Sequence, residues 1–82
     1  MYKLTFYLKD KNDNILAILH SIPEIAALFN DSNILNCKND LELIMYLLEH
    51  HFHVIIDGVG YYFANQDISN TTMTITLTYK PV

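Results

Sequence analysis

The sequence predicts a single α+β domain over residues 1–82, with a mostly antiparallel sheet and two helices packed on one of its faces. Three observations carry this. Apolar residues alternate strictly near both ends of the chain, as Tyr2, Leu4, Phe6, Leu8 and again as Met73, Ile75, Leu77, Tyr79. The middle holds two helix-start signatures, Ser21 with Glu24 and Asn39 with Glu42, each followed by apolar residues at helical spacing. The chain is 51% hydrophobic with two glycines and two prolines, which fits one packed core and excludes a disordered tail.

The elements follow in the order β-β-α-α-β-β-β, about five strands in all. The first strand covers residues 2–8. Asp10-Lys11-Asn12-Asp13-Asn14 is a turn cluster, because Asn and Asp tolerate left-handed geometry and bond their own backbone. Residues 15–20 return as a hairpin partner. Pro23 is tolerated in the first turn of the helix begun at Ser21, and Ile22, Ile25, Ala26 and Phe29 share one face of it. Residues 30–33 end that helix, and 34–37 fit either a loop on the core or a very short strand. The second helix is expected over 40–50, with Leu41, Leu43, Ile44, Met45, Leu47 and Leu48 on a wide apolar arc and Glu42, Tyr46, Glu49 and His50 on a narrow polar stripe. So apolar a helix is expected at the centre of the core. Val54-Ile55-Ile56 is a buried strand and Asp57-Gly58 a hairpin turn into a strand over 59–64. Residues 65–70 are expected to form a polar loop. The final strand alternates Met73, Ile75, Leu77 and Tyr79 with Thr72, Thr74, Thr76 and Thr78 until Pro81 stops it.

Charge and composition narrow the function class. Nine acids against five lysines and no arginine give −4. Nucleic-acid binders need a basic stripe, usually with arginine for phosphate and guanine, so direct nucleic-acid binding is not expected. The acids are too scattered for a nucleic-acid mimic. One cysteine excludes an intramolecular disulfide and a four-cysteine zinc site. The start runs directly into strand alternation rather than a leader's apolar stretch, and no apolar run approaches the ~20 residues a bilayer needs. A cytoplasmic protein without membrane contact is the expectation.

Candidates for chemistry are few. His50, His51 and His53 lie close in sequence, with His20, Cys37 and Asp57 as candidate neighbours in space, and would suit metal binding or pH sensing if they converge. His51 and His53 would share a face if the strand began at 51. No familiar ligand spacing accompanies them. Cys37 next to a histidine would be a nucleophile pair. No catalytic motif, phosphate-cradling loop or paired carboxylates occur, so the chain is read as non-enzymatic and without cofactor or metal.

The outer face of the sheet is the better candidate. With the apolar series turned to the helices, Thr5, Tyr7, Thr72, Thr74, Thr76 and Thr78 point away, together with one of Tyr61 or Tyr62, of which Tyr62 is taken as the site residue. Tyrosine offers large contact area with few torsions to freeze, which suits a partner-binding surface. Asp10 and Asp13 in the turn, and the helix-start acids Asp31, Asp40 and Glu42, would complement a basic partner. The final strand, if at an edge, would offer its backbone for strand pairing.

Phe, Tyr, Met, Ile, Asn and Lys supply 36 of the 82 residues, a bias toward A/T-rich codons and so toward a gene of low G+C content. In size and composition the chain resembles small acidic products of phages and mobile elements, anti-CRISPR proteins among them. That resemblance implies a protein-binding inhibitor that blocks a larger, often basic, host or defence protein by steric occlusion. It covers no residue pattern. The alternatives are a homo-oligomeric structural module, in the simplest case a homodimer through the sheet face, and a metal- or pH-responsive regulator through the three histidines.

Overall fold

The computed structural model describes residues 3–82. Tyr2, placed in the first strand by its alternation, lies outside them. The chain forms one five-stranded sheet with its helices on one face. Strands β1 (Lys3–Lys9) and β2 (Ile15–Leu19) form a hairpin, with a register shift at Leu8/Lys9. Helix α1 (Ile22–Phe29) follows, then a 3-10 turn (Ser32–Asn36) and helix α2 (Asp40–His50). Strands β3 (His53–Ile56), β4 (Val59–Ser69) and β5 (Thr74–Pro81) complete the chain.

Local chemistry explains the helix boundaries. Ser21 caps α1 by accepting the Glu24 amide, while the Glu24 carboxylate accepts the amides of Ser21 and His20. Asn30 closes α1 in the left-handed conformation, at φ 52°. Asn39 caps α2 by accepting the Glu42 amide, and Glu42 reaches back to the Lys38 amide. At the β3–β4 turn both Asp57 and Gly58 have positive φ, as the twist of a two-residue hairpin requires.

The sheet order is β2-β1-β5-β4-β3. β1 and β5 pair in parallel at its centre and the other three pairings are antiparallel. The final strand is therefore central, with both sides paired, and has no edge to offer a partner. The edges belong to β2 and β3, so β3, expected as a buried strand, is covered on one face only and leaves Ile55 80% exposed. Residues 65–69, expected as a loop, continue β4 and pair with residues 74–78. Gln66 and Ile68 stay exposed there, so the extension is held by backbone pairing and leaves no apolar alternation to read. Met73 does not join the alternation: it sits in the turn at φ 56° and is exposed. Residues 32–36 are neither loop nor strand but a 3-10 turn that drives Ile34 fully into the core.

The core joins Leu4, Phe6 and Leu8 of β1, Ile75, Leu77 and Tyr79 of β5 and Tyr61 and Phe63 of β4 to Ile25, Ala26, Ile34, Leu43, Ile44 and Leu47 above them. Phe29 closes its side, 5.8 Å from Phe6 edge-on and 5.4 Å from Tyr79, ring centre to ring centre. Topology dictates which face is covered. β2 and β3 are opposite edges, so the residues between them must cross the full sheet width, roughly 19 Å at the usual strand spacing. Every other connection is a tight turn. One crossover covers one face and leaves the reverse bare.

Candidate functional site

The bare face is built row by row from the strand register. One row runs His53, Tyr62, Lys80 across β3, β4 and β5. The next runs Asn65, Thr78, Tyr7, Ile18 across β4, β5, β1 and β2. Below it come Asp67, Thr76, Thr5 and then Ser69, Thr74, Lys3. Tyr7, Tyr62, Thr74 and Thr76 thus lie together on one half-exposed surface. Thr5 is on the same face but only 8% exposed, hemmed in at the sheet centre, so it supports the surface rather than reaching beyond it. The Lys9 ammonium lies over the Tyr7 ring, 5.6 Å from its centre, within cation–π range. Asn65, Asp67 and Ser69 belong to this face and were missed with the strand that carries them. The run of threonines opposite was their only signal, since an outward Thr row at a sheet centre needs neighbours on both sides.

The acidic turn is engaged within the chain. Asp10 accepts the amides of Asn12 and Asn14 and the Asn14 side-chain amide, bonds that hold its carboxyl below the usual range. Asp13, at φ 64°, sits 2.9 Å from Lys80. That hydrogen-bonded pair lowers the Asp13 pKa and raises that of Lys80, and it ties the turn to the Tyr62 row.

The histidines diverge. His51 is not in a strand with His53 but caps α2, where it stacks on Phe29 at 4.9 Å and 25°. Its Nε2 is 2.7 Å from Asp31 Oδ2, which also accepts the Tyr46 hydroxyl at 2.8 Å. Asp31 further caps the 3-10 turn through the Asn33 amide. These bonds, His51 foremost, hold the Asp31 carboxyl below its ordinary value, and the same carboxylate pushes the Tyr46 hydroxyl up. Tyr79 is buried and donates its hydroxyl to the His51 carbonyl at 2.6 Å; burial pushes its pKa far up. The result is a clamp joining three segments. His50 packs on Tyr46 beside Glu49, and His53 packs edge-on to Phe52 on the other side of the sheet. Among the described residues no three His, Cys, Asp or Glu side chains gather where a metal ion could sit.

Cys37 lies in an open groove of about 490 Å³ between the 3-10 turn and α2, with Asn36, Glu42, Met45, Tyr46 and Glu49. Burial first, then the carboxylates of Glu42 and Asp31, push its thiol up, the opposite of what an activated nucleophile needs.

Fold and face together define a small α+β domain with a one-sided mixed sheet. Compared with known proteins, the chain matches no family model, no curated protein and no solved structure.

Proposed function

We propose that this chain is a non-catalytic protein-binding domain whose bare sheet face docks on a larger protein and blocks it by occupying its surface. Support comes from one observation above all: Tyr7, Tyr62, Thr74 and Thr76 share a face that the single crossover leaves uncovered. The Cα envelope measures 34 × 28 × 18 Å, so a broad side is comparable to the ~800 Å² per partner of a standard interface. The face balances Lys3, Lys9 and Lys80 against Asp67 and the nearby Asp10 and Asp13. Docking there rests on aromatic area and hydroxyl bonding rather than on net charge. A cytoplasmic host or defence protein is the partner that the composition suggests. Affinity capture from lysate with wild type and with Tyr7→Ala, Tyr62→Ala and Thr76→Glu tests this. A captured protein lost in all three variants is the expected result, and a captured protein retained in all three removes the proposed surface.

A homodimer is a second reading, favoured by β2. This edge strand carries no charge and exposes Ile15, Leu16 and Ile18, the kind of edge that pairs with another strand. Light scattering decides it: a dimer that Ile18→Lys converts to monomer supports self-pairing, and a monomer at all concentrations refutes it.

A further inference from the structure

The formal charge is not spread over the molecule. Residues 21–50 hold five acids and one lysine, which is the whole of the −4, while four lysines balance four acids elsewhere. The helical layer is therefore the acidic side, and within it α2 has more apolar surface than the core uses. Leu43, Ile44 and Leu47 are buried. Leu41, Met45 and Leu48 recur at i, i+4 and i+7, so they form a second stripe, and they are 66%, 60% and 41% exposed. Glu42 and Glu49, also seven apart, flank that stripe on one side. Met45 belongs both to the stripe and to the 490 Å³ groove, whose lining includes both glutamates and Tyr46.

A second copy of the chain is a poor occupant. Packing two α2 stripes antiparallel about a twofold axis brings like flanks together and sets Glu42 against Glu49 of the copy, twice. Parallel packing puts the glutamates on opposite flanks, where the copy's α2 has no lysine or arginine to meet them. One arrangement brings like charges together and the other leaves the glutamates without a cation. The complement is a segment with apolar side chains on one stripe and cations beside it.

We infer that the outer stripe of α2 and the adjoining groove bind a cationic amphipathic segment, helical for best fit, of a partner protein. Its apolar residues lie on Leu41, Met45 and Leu48. A lysine or arginine enters the groove between Glu42 and Glu49, its stem along Met45 and the Tyr46 ring. The Glu42 carboxylate keeps its bond to the Lys38 amide, while Glu49, with an exposed side chain and His50 Nε2 3.8 Å away, is the more accessible counter-ion. This surface is on the opposite side from the sheet face and does not depend on it.

Fluorescence anisotropy with a labelled Leu/Lys amphipathic helix of about four turns tests the inference. Two control peptides accompany it, one of the same composition scrambled to lose its apolar stripe and one with glutamate for lysine. The expected result is saturable binding of the Leu/Lys helix at physiological salt, at least about tenfold tighter than either control. Met45→Lys, Leu41→Gln and Glu49→Lys each weaken it at least about tenfold with unchanged melting temperature, while Tyr7→Ala leaves it unaltered. Equal affinity for the scrambled peptide, equal affinity in all three variants of the stripe and its flank, absence of binding, or a self-association that Met45→Lys abolishes would each overturn it. Using two stripe positions and one charge position separates lost contact from lost folding.

Discussion

Gly58 shows how one residue sets a local structure. It sits at φ 80° with nothing within 4 Å of the position a Cβ would occupy. Gly58→Ala therefore meets no clash with neighbouring groups, and its cost is that of the backbone conformation, about 1 kcal/mol. Urea titration should show that loss with an unchanged slope. Asp31 works differently, through three partners at once. Its folded-state pKa is depressed, so its stabilising contribution is present above the unfolded value of about 4 and is lost as pH falls through the folded one. Asp10, Asp13 and Glu24 share that sign, whereas burial raises Asp40 and opposes them. Thermal melts should thus fall steeply below about pH 4. Asp31→Asn should lower the melting temperature at neutral pH and flatten the acid branch. An acid branch as steep as wild type would show that the clamp carries none of the linkage.

At the scale of elements, α2 divides into a packed and an open arc. Leu47 is fully buried and Met45 is mostly exposed, although both stand on the apolar side of the sequence wheel. Leu47→Ala should cost about 2–4 kcal/mol through its cavity. Met45→Ala should stay within about 0.5 kcal/mol. Equal costs by chemical denaturation would mean that Met45 is packed in solution. The wheel alone could not separate the arcs, because hydrophobicity records what a side chain is and not what covers it. Elements written in local chemistry were legible: the β1–β2 hairpin from its turn cluster, α1 and α2 from Ser21/Glu24 and Asn39/Glu42, the β3–β4 turn from Asp57-Gly58. Elements that depend on distant partners were not. The outer half of β4 exists because β5 pairs with it, and Asn65, Gln66 and Asp67 carry no sign of that. The 3-10 turn is held by Asp31, whose bonds to His51 and Tyr46 span 20 and 15 residues. The same distance effect hid the use of Asp13, whose partner Lys80 is at the other end of the chain.

For the whole molecule, the decisive pairing is the parallel contact between the first and last strands. β5 is hydrogen-bonded to β1 on one side and β4 on the other, and supplies Ile75, Leu77 and Tyr79 to the core. A chain ending at Met73 loses both ladders and should show no cooperative thermal transition. A sharp melt from that fragment would contradict the central place given to β5. The same topology produces the asymmetry on which the proposed docking rests. One crossover seals one face, carries the excess of acids there and leaves a charge-balanced hydroxyl and phenol surface on the reverse. The most direct test is tyrosine modification read by mass spectrometry, on the free chain and on the chain bound to its captured partner. Tyr7 and Tyr62 should react in the free protein and be protected in the complex, with Tyr61 and Tyr79 inert in both. Protection of Tyr7 and Tyr62 in the free chain, or their full reactivity in the complex, would contradict the docking face.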